Sequence, residues 1–82
     1  MNKFDINEIE LLIIKSYKPI INVENLFYKL MSEFQSPTVI RMLKVSHRNY
    51  YDFYNGMIKF KTIKRNKTYK QLVYLMGVIN HV

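Results

Sequence analysis

Tyr50-Tyr51-Asp52-Phe53-Tyr54-Asn55-Gly56-Met57-Ile58-Lys59-Phe60-Lys61 is the stretch on which the fold turns. An Asn-Gly step accepts the positive φ values of a type I′ turn, whose twist suits a two-residue hairpin. Folded at Asn55-Gly56, the chain pairs Tyr54 with Met57, Phe53 with Ile58, Asp52 with Lys59 and Tyr51 with Phe60. Phe53, Ile58, Tyr51 and Phe60 then share one face. Asp52, Lys59, Tyr50 and Lys61 share the other, with an opposite-charge pair facing across the strands. The alternation predicts a β-hairpin near 49–61.

Upstream, Ser36-Pro37 reads as a helix start. Ser caps free N–H groups, and Pro at the first position gives up a donor that has no partner there anyway. The helix is expected near 36–47, with Val39, Ile40 and Leu43 inward and Thr38, Arg41, Val45 and Arg48 on the opposite side. Before it, Asn22 is a plausible N-cap for a helix near 23–34. There Val23, Leu26, Phe27, Leu30, Met31 and Phe34 recur at helical spacing. Asp5 with Glu8 approximates a capping box for a first helix near 5–17, ended by Pro19. Downstream, Tyr69, Leu72, Val73 and Met76 predict a helix near 63–77. Lys64, Arg65, Lys67 and Lys70 near its start oppose the helix dipole. The expected class is α+β, mostly helical: one domain, residues 1–82, of four helices and a hairpin.

This order of elements resembles the winged helix-turn-helix DNA-binding family. The residues that carry the likeness are Ile21-Asn22-Val23-Glu24-Asn25-Leu26 at the start of the second helix, Ser36-Pro37-Thr38-Val39 at the start of the third, and the hairpin as wing. The resemblance implies a recognition helix that begins at Ser36 and contacts bases through Thr38, Arg41, Lys44 and Arg48. It implies wing contacts to phosphates from Lys59 and Lys61. Lys64, Arg65 and Lys67 are expected to hold the DNA backbone. A second parse resembles the Cro-like repressors. Leu43-Lys44-Val45-Ser46 becomes the turn, Ser46 caps a recognition helix through Tyr54, and Asn55-Gly56 ends it.

Thirteen Lys and Arg against six Asp and Glu leave an excess of seven positive charges, which suggests an anionic partner. Double-stranded DNA is the expected one, bound sequence-specifically in transcription control or in plasmid or phage replication, partition or transfer. A chain of 82 residues buries a limited fraction of its surface, so a homodimer is expected to complete the core. The apolar stripes Ile9, Leu12 and Ile13, and Leu72, Val73 and Met76, are the candidates for that contact. The alternative function is a protein-binding inhibitor or accessory module. It would block an acidic or nucleic-acid-binding surface of a larger partner, with exposed tyrosines as anchors.

Without cysteine there is no disulfide framework and no thiolate metal site, which fits the cytoplasm. The acids Asp5, Glu8 and Glu10 argue against a signal peptide. The longest apolar run, Leu11 to Ile14, is far below the roughly 20 residues of a membrane helix. His47 and His81 have no ligand cluster, and the acids are scattered, so no metal, cofactor or catalytic residue is expected and the chain does not read as an enzyme.

Overall fold

A computed structural model describes residues 3–59 and 64–81. It shows five helices: α1 (Glu8–Lys15), α2 (Val23–Glu33), α3 (Ser36–Leu43), α4 (His47–Ile58) and α5 (Lys67–Asn80). No strand occurs among the described residues. The class is therefore all-α, and the expected α+β fold, with its hairpin and wing, is overturned.

The hairpin fails for a packing reason. Tyr50 and Phe53 are both fully buried, and Met57 packs against the same core. At i, i+3 and i+7 these three share one side of a helix, whereas a ribbon would send Tyr50 and Phe53 to opposite faces. Ser46 supplies the start: its hydroxyl accepts the Asn49 N–H at 3.1 Å. Asn55-Gly56 lies inside the helix, and no described glycine has a positive φ. The stretch carries both periodicities, and the buried rings decide between them.

The second parse fits locally and then departs. Lys44 takes the left-handed conformation (φ 54°, ψ 48°) that ends α3, and Ser46 caps the next helix. However, α4 runs past Asn55-Gly56 to Ile58. Phe60 to Ile63, including Lys61, lie outside the described residues.

The remaining elements follow from their caps. Asn7 and Glu10 make the capping box of α1, with bonds of 2.8 and 3.1 Å, so the box sits two residues later than Asp5 and Glu8. Asn22 caps α2 through the Asn25 N–H at 2.7 Å. Gln35, not Ser36, flanks α3, and it makes no side-chain cap bond. Asn66 starts α5 by accepting the Thr68 N–H at 2.7 Å.

Helix α5 packs on each of the other four. Leu72, Leu75 and Ile79 on it meet Ile14, Leu26, Phe27, Leu30, Met42 and Leu43 in one core. Its buried Gln71 donates to the carbonyls of Lys3 and Leu43, each at 2.7 Å, so both amide hydrogens are used. Asn80 brackets the Ile20 backbone with two 2.8 Å bonds. A single chain thus closes its own core. Of the stripes expected to pair between copies, Leu72 is fully buried and Ile13 and Met76 pack against the core, while Ile9, Leu12 and Val73 are exposed, so the core needs no second copy and neither stripe stands out as a dimer interface.

Candidate functional site

Each residue expected to touch DNA has a place in this bundle, except Lys61. Arg41 is not presented to a groove. Its guanidinium donates to the Asp5 carbonyl at 2.8 Å, lies 3.5 Å from the Asp5 carboxylate, and pairs closely with Glu10. The hydrogen bond to Glu10 leads the effects that push the Arg41 pKa further up. Glu10 is buried and uses one carboxylate oxygen on the α1 cap and the other on Arg41. The Asp5 N–H also donates to Met42, at 2.9 Å. Arg41 therefore fastens the N-terminal segment to α3.

Ser36 accepts the Tyr50 hydroxyl at 3.2 Å beneath α4. Burial raises the Tyr50 pKa and outweighs that hydrogen bond, which lowers it. Thr38 is half-buried on α3, and Lys44 is exposed at the α3–α4 turn. Arg48 is 92% exposed and lies 4.0 Å from Asp52 one turn on. Lys59 ends α4, Lys64 and Arg65 precede α5, and Lys67 opens it, all exposed.

A double-stranded DNA reader is not what these positions make. There is no ribbon among the described residues to reach phosphates, and Arg41, one of the residues expected to contact bases, is bound to two acids. The outer side of α4 itself mixes Tyr51 and Ile58 with Asn55 and an Arg48 paired with Asp52, unlike the strongly cationic linings of DNA interfaces. The winged-helix, helix-turn-helix and DNA-binding readings are corrected on these grounds.

The surface that stands out is the outer face of α4. Arg48, Tyr51, Asn55 and Ile58 follow one another at steps of three, four and three, opposite the buried Tyr50 and Phe53. Tyr51 is 43% exposed and Ile58 is 55% exposed. The Tyr51 ring meets Tyr50 edge-on at 5.1 Å and Tyr54 at 6.5 Å. Tyr54 in turn lies 6.3 Å from Phe27, beside which Tyr28 of α2 stands 58% exposed. Buried Phe27 also contacts Phe53 edge-on at 4.9 Å, so the exposed rings rest on a fixed aromatic floor.

The chain matches no protein-family model, no curated protein and no solved structure.

Charge surrounds this face unevenly. After Glu33 the chain holds nine of its thirteen cations and one of its six acids, Asp52. The Asn66 amide donates to the Asn49 carbonyl at 3.1 Å, which sets the start of α5 against the first turn of α4. Lys64, Arg65 and Lys67 flank Asn66 in the chain and so enter α5 near that first turn, and Lys59 marks the other end of α4. The sequence pointed to these cations, but it missed Tyr51 and Ile58 as the exposed apolar part of α4, with half-buried Tyr54 between them and the core and exposed Tyr28 beside Phe27. Helical phase from the Ser46 cap would have found the stripe on α4; the neighbourhood of Tyr28 needed the α2–α4 packing.

Exposed Tyr and Arg on a rigid base are the residue types that dominate protein–protein energetics, because they bury large area at small entropic cost. No group of three or more potential metal ligands occurs among the described residues. No helix there is long and apolar enough to cross a membrane.

Proposed function

We propose that this protein is a binding module that docks the outer face of α4 onto an acidic surface of a larger protein partner in the cytoplasm. It blocks that surface or recruits it, and acts by occupancy rather than catalysis. The observation that carries the reading is the exposed stripe with Tyr51 and Ile58, backed by buried rings and accompanied by cations. Tyr51 and Ile58, with Tyr28 beside Phe27, supply exposed apolar area, and Arg48, Lys59 and the start of α5 select for carboxylates.

Position-specific photocrosslinking tests it in the cell that makes the protein. A photoreactive phenylalanine in place of Tyr51 is expected to trap a discrete protein, and the yield is expected to fall when Arg48→Glu is added. The same group in place of Leu12, exposed on α1, is expected to give no such adduct. Adducts with nucleic acid at position 51, or none above the level at position 12, would overturn the proposal.

A further inference from the structure

Resting on that reading, we infer that the occupant of the α4 face is a single acidic amphipathic helix of the partner. It lies antiparallel to α4, with its carboxylates gathered toward its C-terminal half.

The stripe itself argues for a helix. Arg48, Tyr51, Asn55 and Ile58 have the three–four–three spacing of a coiled-coil seam, opposite the side that packs on the core. From Arg48 to Ile58 the seam runs about 15 Å at 1.5 Å per residue, nearly three turns. A straight seam of this length is complementary to one helix packed alongside at a shallow angle. The seam is half polar, so the occupant needs an apolar edge for Tyr51 and Ile58 and an anionic one for Arg48 and Lys59.

Direction follows from charge. The Arg48 end collects the positive ends of the α4 dipole and the neighbouring α5 dipole. Lys64, Arg65 and Lys67 flank Asn66, which bonds at that first turn, while Asp52 is the one acid on α4. A helix C-terminus carries the opposite partial charge, so the antiparallel arrangement places its negative end there. Asp52, 4.0 Å from Arg48, holds that guanidinium until a partner carboxylate takes its place.

The test is a titration of the full chain with synthetic peptides of about 21 residues, three heptads. One has leucine and a tryptophan along one edge and glutamates in its C-terminal half. A control has the same residues rearranged so that no edge forms. The chain lacks tryptophan, so the peptide's indole emission reports binding, and circular dichroism reports helix gain. The patterned peptide is expected to bind about tenfold or more tighter than the control and to gain helix. Tyr51→Ala and Arg48→Glu are each expected to cost about tenfold, and Asp52→Asn to strengthen binding. Equal binding of both peptides, absence of binding, or displacement by duplex DNA or anionic vesicles at lower concentration than the peptide itself would overturn the inference. If the peptides fail while position 51 still traps a protein in the cell, docking stands and only the helical occupant is lost. Arg48, Tyr51 and Asp52 are exposed, and unchanged thermal midpoints check that the variants stay folded.

Discussion

Arg41 shows how far a side chain's role depends on partners distant in sequence. From composition it is one more cation on a helix. In the fold it reaches Asp5 and Glu10, 36 and 31 residues away. Arg41→Met keeps much of the stem's packing and removes the charge, leaving the buried Glu10 carboxylate without its cation. The thermal midpoint is expected to fall, with amide protection lost first in the N-terminal segment. The stability loss should precede any effect on association, which separates a fastener from a contact residue. Tyr17 is the reverse case. Its hydroxyl is buried with no hydrogen-bond partner among the described residues. Burial first, and the Glu33 charge second, push its pKa up to about 12. The unfolded chain ionises Tyr17 near its ordinary value of about 10, so the neutral form favours the fold. That stability is complete below pH ~10 and is lost as pH rises toward about 12. Tyr17→Phe is expected to remove part of the alkaline loss in urea titrations across that range; the buried Tyr50 hydroxyl, also raised, retains the rest. Below pH ~10, Tyr17→Phe should match or exceed the parent stability by up to about 1 kcal/mol, because no hydrogen bond is surrendered.

At the scale of elements, α4 depends on its first turn. His47 and Asn49 in its first turn are weak helix formers, and no acid stands there to complement the dipole. The Ser46 hydroxyl takes up one N–H that would otherwise lack a partner. Ser46→Ala is expected to cost about 1 kcal/mol in a denaturant titration, and Ser46→Asp to restore it. An unchanged midpoint for Ser46→Ala would mean that tertiary packing alone sets the helix start. The same element marks the limit of what the sequence discloses. In α2 a single period runs from Val23 to Leu30 behind an unambiguous Asn22 cap, and the helix follows it. In residues 50–61 two periods coexist. Tyr50, Phe53 and Met57 suit a helix, Tyr51, Phe53, Ile58 and Phe60 suit a strand, and Asn-Gly favours the turn locally. Tertiary burial of Tyr50 and Phe53 outweighs the turn preference, and a pattern along one dimension cannot weigh that. The cations of the candidate face were legible because charge survives in composition. Its aromatic anchors were not, since which tyrosines stay outside is set only when α2 and α4 close on Phe27.

The whole molecule keeps an imbalance that costs it stability. Lys64, Arg65, Lys67 and Lys70 crowd the start of α5, where the helix dipole favours acids. A sequence under pressure for stability alone would place Glu or Asp there. Positions that harm the fold and persist are where a binding requirement is to be sought, since function and stability compete for the same surface. Lys67→Glu separates the two demands. It puts an acid at the first position of α5, exposed and with no hydrogen bond or ion pair to another described residue to lose, so it is expected to stabilise the protein by about 0.3–1 kcal/mol. It also removes a cation from the Arg48 end of the α4 face. Association with an acidic partner, or with the acidic peptide described above, is expected to slow, and the difference from the parent should shrink as salt is raised, because distant charges steer encounter and are screened within about a Debye length. Dissociation should change little, since the tyrosine contacts that hold the complex remain. Stopped-flow association rates at two ionic strengths, set beside a urea midpoint for the same variant, read both effects. A variant that gains stability while associating as fast as the parent at low salt would show that these cations serve no partner on this face.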